Sequence, residues 1–400
     1  MRTAAAATDS SAEVPHTPRL IGVDARPLST PTSGVGRVIS RVLRHFPAPE
    51  RYRFFLYSHR PYHADYEDII RLPHVVWVEG RGWTARKGGL WFNWTLPRML
   101  RGVELDLFWG SQQVVPPGLP DLPVVLTYYD LVLYFFPEAM RWPARLQQRV
   151  VQPMSVRRAD RILSISTQTQ DDMIARFDYP PEQARVSLLG YDPPPRGSKS
   201  DDPATLSGLK QRLGFDPARS PFILSVSTLE PRKNYGTLLE AYARYHGMDP
   251  EGAYPLVIAG RRGWESPAFF ERLENLQRET GKIVIVEGPG DDELRALYRN
   301  CAFFCLPSLY EGFGLTLLEA LAFGAPSLAS DIGPFREIGG TNIEYLPARD
   351  SDAWARAIKN TGDAHAAGRL KRVKFPLDEW TWDRTARIHH QAFEELLGKS

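Results

Sequence analysis

Two glutamates, Glu311 and Glu319, are separated by seven residues in the segment LPSLYEGFGLTLLEALAFG. Glu311 follows a predicted strand, and a Gly-Phe-Gly turn then opens a helical pattern that carries Glu319 about one and a half turns in, roughly 7–8 Å along the axis. Ionised carboxylates accept the hydrogen bonds that sugar and ribose hydroxyls donate. The pair, with the backbone N–H groups of Phe313 and Gly314, therefore predicts a site for two parts of a hydroxyl-rich ligand. Two surface glutamates on one helix would show the same spacing.

Two adjacent cations, Arg232 and Lys233, follow a second predicted strand and precede a helix that begins near Tyr235. An arginine can fork across two phosphate oxygens, and a helix N-terminus favours an anion. This loop therefore fits a diphosphate, although adjacent basic residues are also common on solvated surfaces.

A glycine loop, Ser33-Gly34-Val35-Gly36, precedes an amphipathic helix near the start of the chain. Glycines let a backbone approach a ligand closely. Ile39 stands where a dinucleotide fingerprint needs its third glycine, and no P-loop lysine follows. The loop is therefore either a ligand-binding loop or an ordinary strand-to-helix turn.

Short apolar runs that alternate with helix-length segments must position these loops. The predicted strands are 20–25, 53–58, 75–80, 105–110, 124–130, 161–166, 186–190, 222–227, 254–260, 283–288, 301–308 and 327–330. Such runs are typical of parallel sheets buried on both faces. The pattern predicts an α/β fold with two doubly wound domains facing a cleft, where ligands bind at the carboxyl ends of the strands. The predicted parts are a disordered tail (1–18), a first domain (19–192), a linker (193–205), a second domain (206–378) and a terminal helix (379–400) that packs back on the first domain.

Composition excludes several classes of protein. The chain has 400 residues, which is too long for one ordinary core. Its residues are 43% apolar and 24% charged, which is close to the average of soluble globular proteins. The two cysteines, Cys301 and Cys305, rule out a disulfide framework and, without partnered histidines, argue against zinc. There is no run of eighteen apolar residues and no apolar core of a signal peptide near the N-terminus. We therefore expect a cytoplasmic protein.

The charge is unevenly distributed, with +5 over residues 1–190 and −3 over 191–400. This excess is too small to favour nucleic acid as a partner. The segment 81–102 combines five cations with Trp83, Trp91 and Trp94. Tryptophan and arginine suit a membrane interface or a lipid-linked acceptor, while core packing of the tryptophans is the alternative.

A pair of aspartates and a pair of histidines are interpreted as structural residues rather than metal ligands. Asp291 and Asp292 precede a helical pattern and are interpreted as helix N-caps rather than metal ligands. His389 and His390 show no ligand spacing, and we expect both to be exposed on the terminal helix.

Taken together, these segments resemble the family 4 glycosyltransferases, which have the GT-B fold of two Rossmann-like domains. The resemblance covers residues from about 20 to about 395. The segments that carry it are IGVDARPLSTPTSGVGR, LTYYDLVLYFFPE, RILSISTQTQDDM, STLEPRKNYGTLLEAY, LVIAGRRGW, GPGDDELRALYRNC, YEGFGLTLLEALAFGAPSLAS and WTWDRTARIHHQAFEELL.

The resemblance implies a role for each motif. Arg232 and Lys233 would hold the donor diphosphate and neutralise the leaving group, Glu319 would bind the ribose, and Glu311 would contact the transferred sugar. It also implies retention of anomeric configuration without a metal or any other cofactor, since positive side chains and a helix N-terminus replace the metal. The first domain would face the acceptor and the second would bind the nucleotide sugar. Further site residues implied are Asp130 as catalytic, Gly34, Gly36, Thr228, Gly312, Phe313, Gly314 and Leu315 at the donor, and Tyr129 and Arg37 on the acceptor side.

One position departs from the family pattern. Family members commonly read T-x-H-D where this chain reads Thr127-Tyr128-Tyr129-Asp130. Tyr129 thus replaces a histidine near the donor sugar, and tyrosine, with a reference pKa of about 10, is a poor base at pH 7.

The expected function is transfer of a hexose, mannose or a related sugar, from a GDP-sugar onto a lipid-linked or oligosaccharide acceptor in bacterial surface polysaccharide synthesis. The form EPRKN of the cation loop resembles bacterial mannosyl- and rhamnosyltransferases. A UDP- or dTDP-sugar donor and a non-catalytic family member that only binds nucleotide sugar are the alternatives. The incomplete glycine fingerprint argues against a dehydrogenase, and the spaced glutamates argue against an epimerase.

Overall fold

The computed structural model describes residues 17–137, 142–194 and 197–398. Residues 1–16 of the predicted tail lie outside the described residues. The strands are β1 (Arg19–Asp24), β2 (Tyr52–Ser58), β3 (Val75–Glu79), β4 (Leu107–Gly110), β5 (Val124–Tyr128), β6 (Arg161–Ser164), β7 (Ala184–Val186), β8 (Ile223–Val226), β9 (Leu256–Gly260), β10 (Ile283–Glu287), β11 (Phe303–Leu306), β12 (Ser327–Ser330) and β13 (Glu344–Leu346). The helices are α1 (Gly34–Arg44), α2 (Glu67–Ile70), α3 (Gly88–Leu90), α4 (Leu96–Arg101), α5 (Val132–Phe135), α6 (Trp142–Arg158), α7 (Thr167–Phe177), α8 (Pro203–Leu213), α9 (Tyr235–Met248), α10 (Pro267–Thr280), α11 (Asp291–Asn300), α12 (Leu315–Ala322), α13 (Gly333–Gly339), α14 (Ser351–Ala366) and α15 (Trp382–Leu397).

The first seven strands form one parallel sheet in the order β3-β2-β1-β4-β5-β6-β7. Val23 of β1 is paired with Leu56 on one side and Trp109 on the other. Strands β4, β5 and β6 are buried along their whole length because helices cover both faces of the sheet. The strand order reverses between β1 and β4, which opens a crevice at the carboxyl ends of these strands.

The last six strands form a second parallel sheet in the order β10-β9-β8-β11-β12-β13. Its order reverses between β8 and β11, which pair directly through Leu224 and Phe304. Loops that leave two adjacent parallel strands at the same edge must be neighbours. This topology therefore brings the cation loop after β8 beside the Glu311 loop after β11, although Lys233 and Glu311 are 78 positions apart in the chain.

The predicted α/β class and the two doubly wound sheets are confirmed. Two strand predictions were wrong: the strand expected at 186–190 lies at Ala184–Val186, and β13 was not predicted. Helix α8 begins at Pro203, inside the segment predicted as linker, because Asp202 caps its first turn by accepting from the N–H of Ala204 at 3.0 Å.

The terminal helix α15 lies against the first sheet and α1. His389 is only 1% exposed, with its Nε2 3.3 Å from Thr127 Oγ1 and its ring edge-on to Trp109. Glu395 pairs with Arg161 at 3.0 Å. The expected exposure of His389 was therefore wrong, because this face of the helix is buried by the sheet of the first domain.

Candidate active site

Glu311 is held by three donors from its own domain. Its Oε1 accepts from Lys233 Nζ at 2.5 Å and from Ser308 Oγ at 2.8 Å, and its Oε2 accepts from Arg232 Nη1 at 2.8 Å. The residue is 6% exposed. The two motifs that sequence reasoning treated separately thus form a single ion-pair cluster.

The backbone of two loops sets this geometry. Residues Pro231–Lys233 make one tight helical turn that ends at Asn234 with φ of +58°, a left-handed conformation that asparagine tolerates. The Asn234 amide donates to the carbonyl of Pro307 at 2.9 Å, and the N–H of Leu309 donates to the carbonyl of Arg232 at 2.7 Å. These bonds tie the cation loop to the Glu311 loop.

The electrostatics of the cluster favour an ionised Glu311. Burial raises the pKa of this carboxyl, but the charges of Lys233 and Arg232 outweigh it and lower the pKa to about 2. Burial also lowers the pKa of Lys233, while Glu311 opposes that shift. The two cations are already matched by carboxylates, since Glu230 lies 2.6 Å from Arg232 Nε.

Sequence reasoning missed Glu230 and Ser308. Both are buried polar residues beside residues that it identified. Glu230 stands two positions before Arg232, and Ser308 three positions before Glu311. The signal in the sequence is a polar residue within three positions of each motif, whereas the burial of both residues is visible only in the structure.

Asp130, from the first domain, reaches the same cluster. Burial raises the pKa of Asp130, and the nearby charges of Arg232 and Lys233 oppose that shift. Its Oδ1 accepts from the N–H of Val132 at 3.1 Å. Glu311, Lys233, Arg232 and Asp130 are thus brought together, three from one domain and one from the other.

The two domains touch at Gly312. A Cβ on this residue would lie 2.0 Å from the carbonyl oxygen of Tyr129, so only glycine permits this approach. Thr169 Oγ1 donates to the carbonyl of Gly312 at 3.1 Å. Gly312 therefore serves the contact between domains.

Tyr129 is buried at this contact. Its hydroxyl has no hydrogen-bond partner in the part of the chain that the structure describes, and burial raises its pKa further above 10. The side chain stays neutral at pH 7. Its predicted acceptor-side role stays a prediction.

Glu319 faces a first cavity of about 580 Å³ between the domains. Its Oε1 accepts from Arg37 Nη1 at 2.9 Å, across the domain boundary, and its Oε2 accepts from the hydroxyl of Tyr298 at 3.1 Å. Arg37, predicted on the acceptor side, thus lies opposite the glutamate predicted to bind ribose. The wall of the first cavity also includes Arg41, Arg261, Arg295, Asp65, Asp68, Asp192 and Asp291.

Glu311 lies on the wall of a second cavity of about 500 Å³, also between the domains. Its other lining residues are Phe135, Phe136, Gln168, Asp172, Leu309, Tyr310, Asp331, Ile332, Gly333 and Pro334. The two spaced glutamates therefore open onto different cavities.

The glycine loop of the first domain begins α1. Ser33 caps the helix by accepting from the N–H of Gly36 at 3.1 Å. A Cβ on Gly34 would meet open space, whereas one on Gly36 would collide with the hydroxyl of Tyr66. Gly36 is thus required for packing, and the contact of Gly34 and Gly36 with a donor stays a prediction.

The remaining predicted donor residues surround the turns after β8 and β11. Thr228 is half-buried against Gly263. Phe313 is buried with its ring 5.9 Å from that of Trp380, and Gly314, at φ of +113°, precedes Leu315, the first residue of α12. Their contact with a donor stays a prediction.

Asp291 and Asp292 lie in the first turn of α11, but its N-cap is Gly290, so the N-cap prediction was off by one residue. Asp292 accepts from Ser198 Oγ at 2.8 Å and from Arg295 at 3.0 Å. Among the residues of known position, no group of three or more His, Cys, Asp or Glu side chains is arranged to hold a metal ion.

Known families match both halves of the chain. The family model for Glycosyltransferase Family 4 matches residues 32–193, and that for Glycosyl transferases group 1 matches residues 212–361. The O-antigen chain mannosyltransferase B of Escherichia coli is 31% identical over 296 residues, which cover 73% of this chain and 71% of that protein. The chain belongs to the family 4 glycosyltransferases. The predicted family is thereby confirmed.

This glycosyltransferase is also similar to a second mannosyltransferase in sequence and to a solved structure in fold. The serotype-specific mannosyltransferase WbdA of Escherichia coli is 31% identical over 185 residues, covering 45% of this chain but only 22% of that longer protein. The crystal structure of Anabaena HepE in complex with UDP-glucose superimposes with a TM-score of 0.65 at 17% identity, covering 94% of this chain and 100% of HepE. The likeness to HepE confirms the GT-B fold.

Proposed function

We propose that this glycosyltransferase moves mannose or a related hexose from a GDP-sugar onto a glycan, with retention of configuration and without a metal. The single observation that supports it best is the cluster of Glu311, Lys233 and Arg232 at the edge where β8 and β11 meet. The similarity to an O-antigen mannosyltransferase supports mannose and a surface-glycan acceptor.

The donor would span the two glutamates. Its ribose hydroxyls would donate to Glu319 in the first cavity, where Arg37 now occupies that carboxylate. Its diphosphate would bind Arg232 and Lys233, competing with Glu311 and Glu230 for the same cations. Its sugar would then lie beside Glu311.

In the reaction, the bond between the anomeric carbon and the β-phosphate oxygen breaks, and a bond to an acceptor hydroxyl oxygen forms as that hydroxyl passes its proton to the departing phosphate oxygen. Negative charge grows on the departing phosphate, where Lys233 and Arg232 stabilise it. Positive charge grows on the sugar ring, where the carboxylate of Glu311 stabilises it. The two loops that carry these side chains are already tied together by hydrogen bonds, so the backbone stays in place while the diphosphate replaces the carboxylate partners of Arg232 and Lys233.

Release of nucleotide diphosphate tests this proposal. GDP-mannose, UDP-glucose and dTDP-rhamnose are each incubated with the full chain, with and without mannooligosaccharide. We expect GDP release that mannooligosaccharide accelerates, and an α-linked product by NMR, since GDP-mannose is an α-linked donor. A β-linked product would exclude retention, and a preference for UDP- or dTDP-sugar would replace the proposed donor.

A donor that binds without turnover would instead support the non-catalytic alternative. Thermal shift measures binding separately, because a ligand at 100 times its Kd stabilises a protein by about 2.7 kcal/mol.

Activity in excess EDTA tests the absence of a metal from the proposed mechanism. We expect the rate of GDP release to be unchanged, because Arg232 and Lys233 supply the positive charge. Loss of activity on chelation that Mn²⁺ or Mg²⁺ restores would overturn this part of the proposal.

Peripheral contact with the inner face of the cytoplasmic membrane is the second part of the proposal. No helix in the described ranges is both long and apolar enough to cross a membrane. Trp91 is buried in the core, but Trp83 is 71% and Trp94 is 60% exposed, within the segment that carries five cations. Each cation near an anionic surface contributes about 1 kcal/mol, and salt screens the attraction.

Co-sedimentation with anionic vesicles at 0.1 M and 1 M salt tests the contact. We expect binding at low salt that weakens at high salt and in Arg86→Glu with Lys87→Glu. The matched control is Arg369→Glu with Lys371→Glu, an equal charge change on exposed residues of the second domain. Binding that the two pairs of substitutions affect equally, or no binding at either salt, would exclude the segment as a membrane surface.

A further inference from the structure

We propose that the second cavity, beside Glu311, binds a neutral hexopyranose residue of the acceptor glycan. This inference rests on the proposed function, since it assigns the acceptor to a place next to the transferred sugar. The volume of about 500 Å³ is within the range of small-molecule sites.

The cavity is built where the two domains meet. From the first domain, Thr167 donates to Glu337 through its N–H at 3.0 Å, which joins α7 to α13. Beside it, Gln168 fits so closely against Gly333 that a Cβ there would lie 2.5 Å from Gln168 Oε1. An acceptor bound here would therefore contact both domains in the arrangement that also assembles Glu311 and Asp130.

One wall of the cavity is aromatic. The ring of Phe135 is 50% exposed and packs edge-on against Tyr310, with ring centroids 5.1 Å apart. Tyr310 is fixed in turn, because its hydroxyl accepts from the N–H of Leu131 at 2.9 Å. A large apolar ring held in place at the mouth of a cavity gains from being covered, and the C–H face of a pyranose is a flat apolar surface of suitable size.

The facing wall carries hydrogen-bonding groups. Gln168 donates from Nε2 to Asp172 Oδ1 at 2.8 Å, which orients that carboxylate and leaves Oδ2 for another donor. Asp331 is engaged by Arg336, at 2.7 Å through Oδ2, and Glu311 by the cations behind it. Asp172 is therefore the carboxylate best able to accept from a sugar hydroxyl.

The two cavities differ in whether they offer cations to a ligand. Four arginines, at 37, 41, 261 and 295, line the first cavity beside five carboxylates, so an anionic nucleotide would find cationic partners there although the wall as a whole is not positively charged. Among the described residues that line the second cavity, there is no lysine, arginine or histidine, and three are carboxylates. This composition disfavours a phosphate group and favours neutral hydroxyls, which donate to carboxylates.

The test compares two ligands by saturation-transfer NMR on the full chain, methyl α-mannopyranoside as the neutral probe and mannose 1-phosphate as the anionic one. We expect transfer to the methyl mannoside in the wild type, and loss of at least half of it in Phe135→Ala and in Asp172→Asn. Met248→Ala, an equally exposed apolar residue on α9, and Asp171→Asn, the exposed neighbour of Asp172, are the matched controls and keep the signal. Circular dichroism confirms that each variant is folded.

The same variants are then assayed for transfer from GDP-mannose to mannobiose. We expect the KM for mannobiose to rise roughly tenfold, a loss of about 1.4 kcal/mol, while the KM for GDP-mannose changes less than about twofold. An unchanged KM and NMR signal in Phe135→Ala and Asp172→Asn, or equal effects on both substrates, would overturn the assignment. Tighter binding of mannose 1-phosphate that these two substitutions abolish would overturn it as well. Failure of the wild type to release GDP would refute the proposed function alone, because the NMR arm does not need turnover.

Discussion

Glu311 and Glu319 lie on one short loop and helix, yet different parts of the molecule hold them. Glu311 is almost fully buried, and Lys233, Arg232 and Ser308 all come from its own domain. The side chain of Glu319 is 18% exposed, and its charged partner, Arg37, comes from the other domain. The geometry at Glu311 is therefore set by the folding of one domain, whereas the partner of Glu319 depends on how the two domains meet.

This difference matches the two proposed roles, since Glu311 is proposed to act in the reaction and Glu319 to bind the donor. Removing charges from water is costly, and a buried ion pair persists only where its geometry and hydrogen bonds are good. The cluster at Glu311 meets that condition before any ligand binds, which suits a group that must stabilise a transition state. In the proposed function, the hydroxyls of a bound ribose replace Arg37 at Glu319.

The largest expected effect is on turnover. Glu311→Ala and Lys233→Ala should each lower kcat about 10²–10³-fold, the scale for removing one preorganised electrostatic contact. Glu311→Ala leaves the buried Lys233 unpaired, with a stability cost of about 3–5 kcal/mol, whereas in Lys233→Ala Glu311 keeps its ion pair with Arg232. Rates are therefore normalised to the folded fraction from urea unfolding. Wild-type rates in both folded variants would remove the pair from the site and leave no distinction between the two glutamates.

The pH dependence of stability should also single out Glu311. Its pKa is about 2 in the folded chain and 4.5 normally. Because the folded pKa is lower, the carboxylate stabilises the fold above pH 4.5, and this contribution is lost as the pH falls through 2. The full contribution is about 3 kcal/mol, of which about half remains at pH 3.

Urea unfolding of wild type and Glu311→Gln between pH 3 and pH 7 measures this contribution. We expect the difference in unfolding free energy to shrink steadily below pH 4.5. A difference that does not change with pH would show that the charge of Glu311 contributes nothing.

Glu319→Gln should act mainly on donor binding. A hydrogen bond to a charged group contributes about 1.5–3 kcal/mol, so the KM for the donor should rise roughly 10- to 100-fold with little change in kcat. Initial rates over a range of GDP-mannose concentrations separate the two parameters. A fall in kcat as large as that in Glu311→Ala would mean that both glutamates act in the transition state.

The smallest effect is expected for Arg37→Met. The Arg37–Glu319 pair is partly exposed, so its loss should change the free energy of unfolding by less than about 1 kcal/mol. The KM for the donor should change less than about fivefold. Arg185→Met, which removes an arginine paired with Glu395 at 2.7 Å and does not line the first cavity, is the matched control.

An acceptor KM that rises selectively in Arg37→Met, with the donor KM unchanged, would instead support the acceptor-side role predicted from the sequence. In that case Arg37 would bind the acceptor, and its pairing with Glu319 would not bear on the difference between the two glutamates.

Several features of the site could be predicted from local sequence. Strand-like apolar runs followed by Gly-rich or cationic loops identified the carboxyl ends of β1, β8 and β11, because parallel strands in a doubly wound sheet present their loops at one edge. The spacing of Glu311 and Glu319 follows from the helical rise. These inferences need only the repeat of apolar residues along the strands and helices and the residue types in the turns.

Local sequence also misled in identifiable ways. His389 was expected to be exposed, but the first sheet covers the helix that carries it. The contact is made by Thr127, which lies 262 positions earlier in the chain. The strand β7 was shifted because the apolar run VSLLG continues past the last paired residue. Burial and pairing at these places are decided by what packs against them.

By itself, the sequence determined the class of fold, the family, and which loops carry acidic, cationic and glycine residues, since each of these depends on residue type and short-range spacing. Only the tertiary structure decided that Glu311 is neutralised by Lys233 and Arg232, that Gly312 meets Tyr129, and that the two glutamates open onto separate cavities. Those contacts join residues that are far apart in the chain. They depend on strand order and on the packing of one domain against the other, which no local spacing specifies.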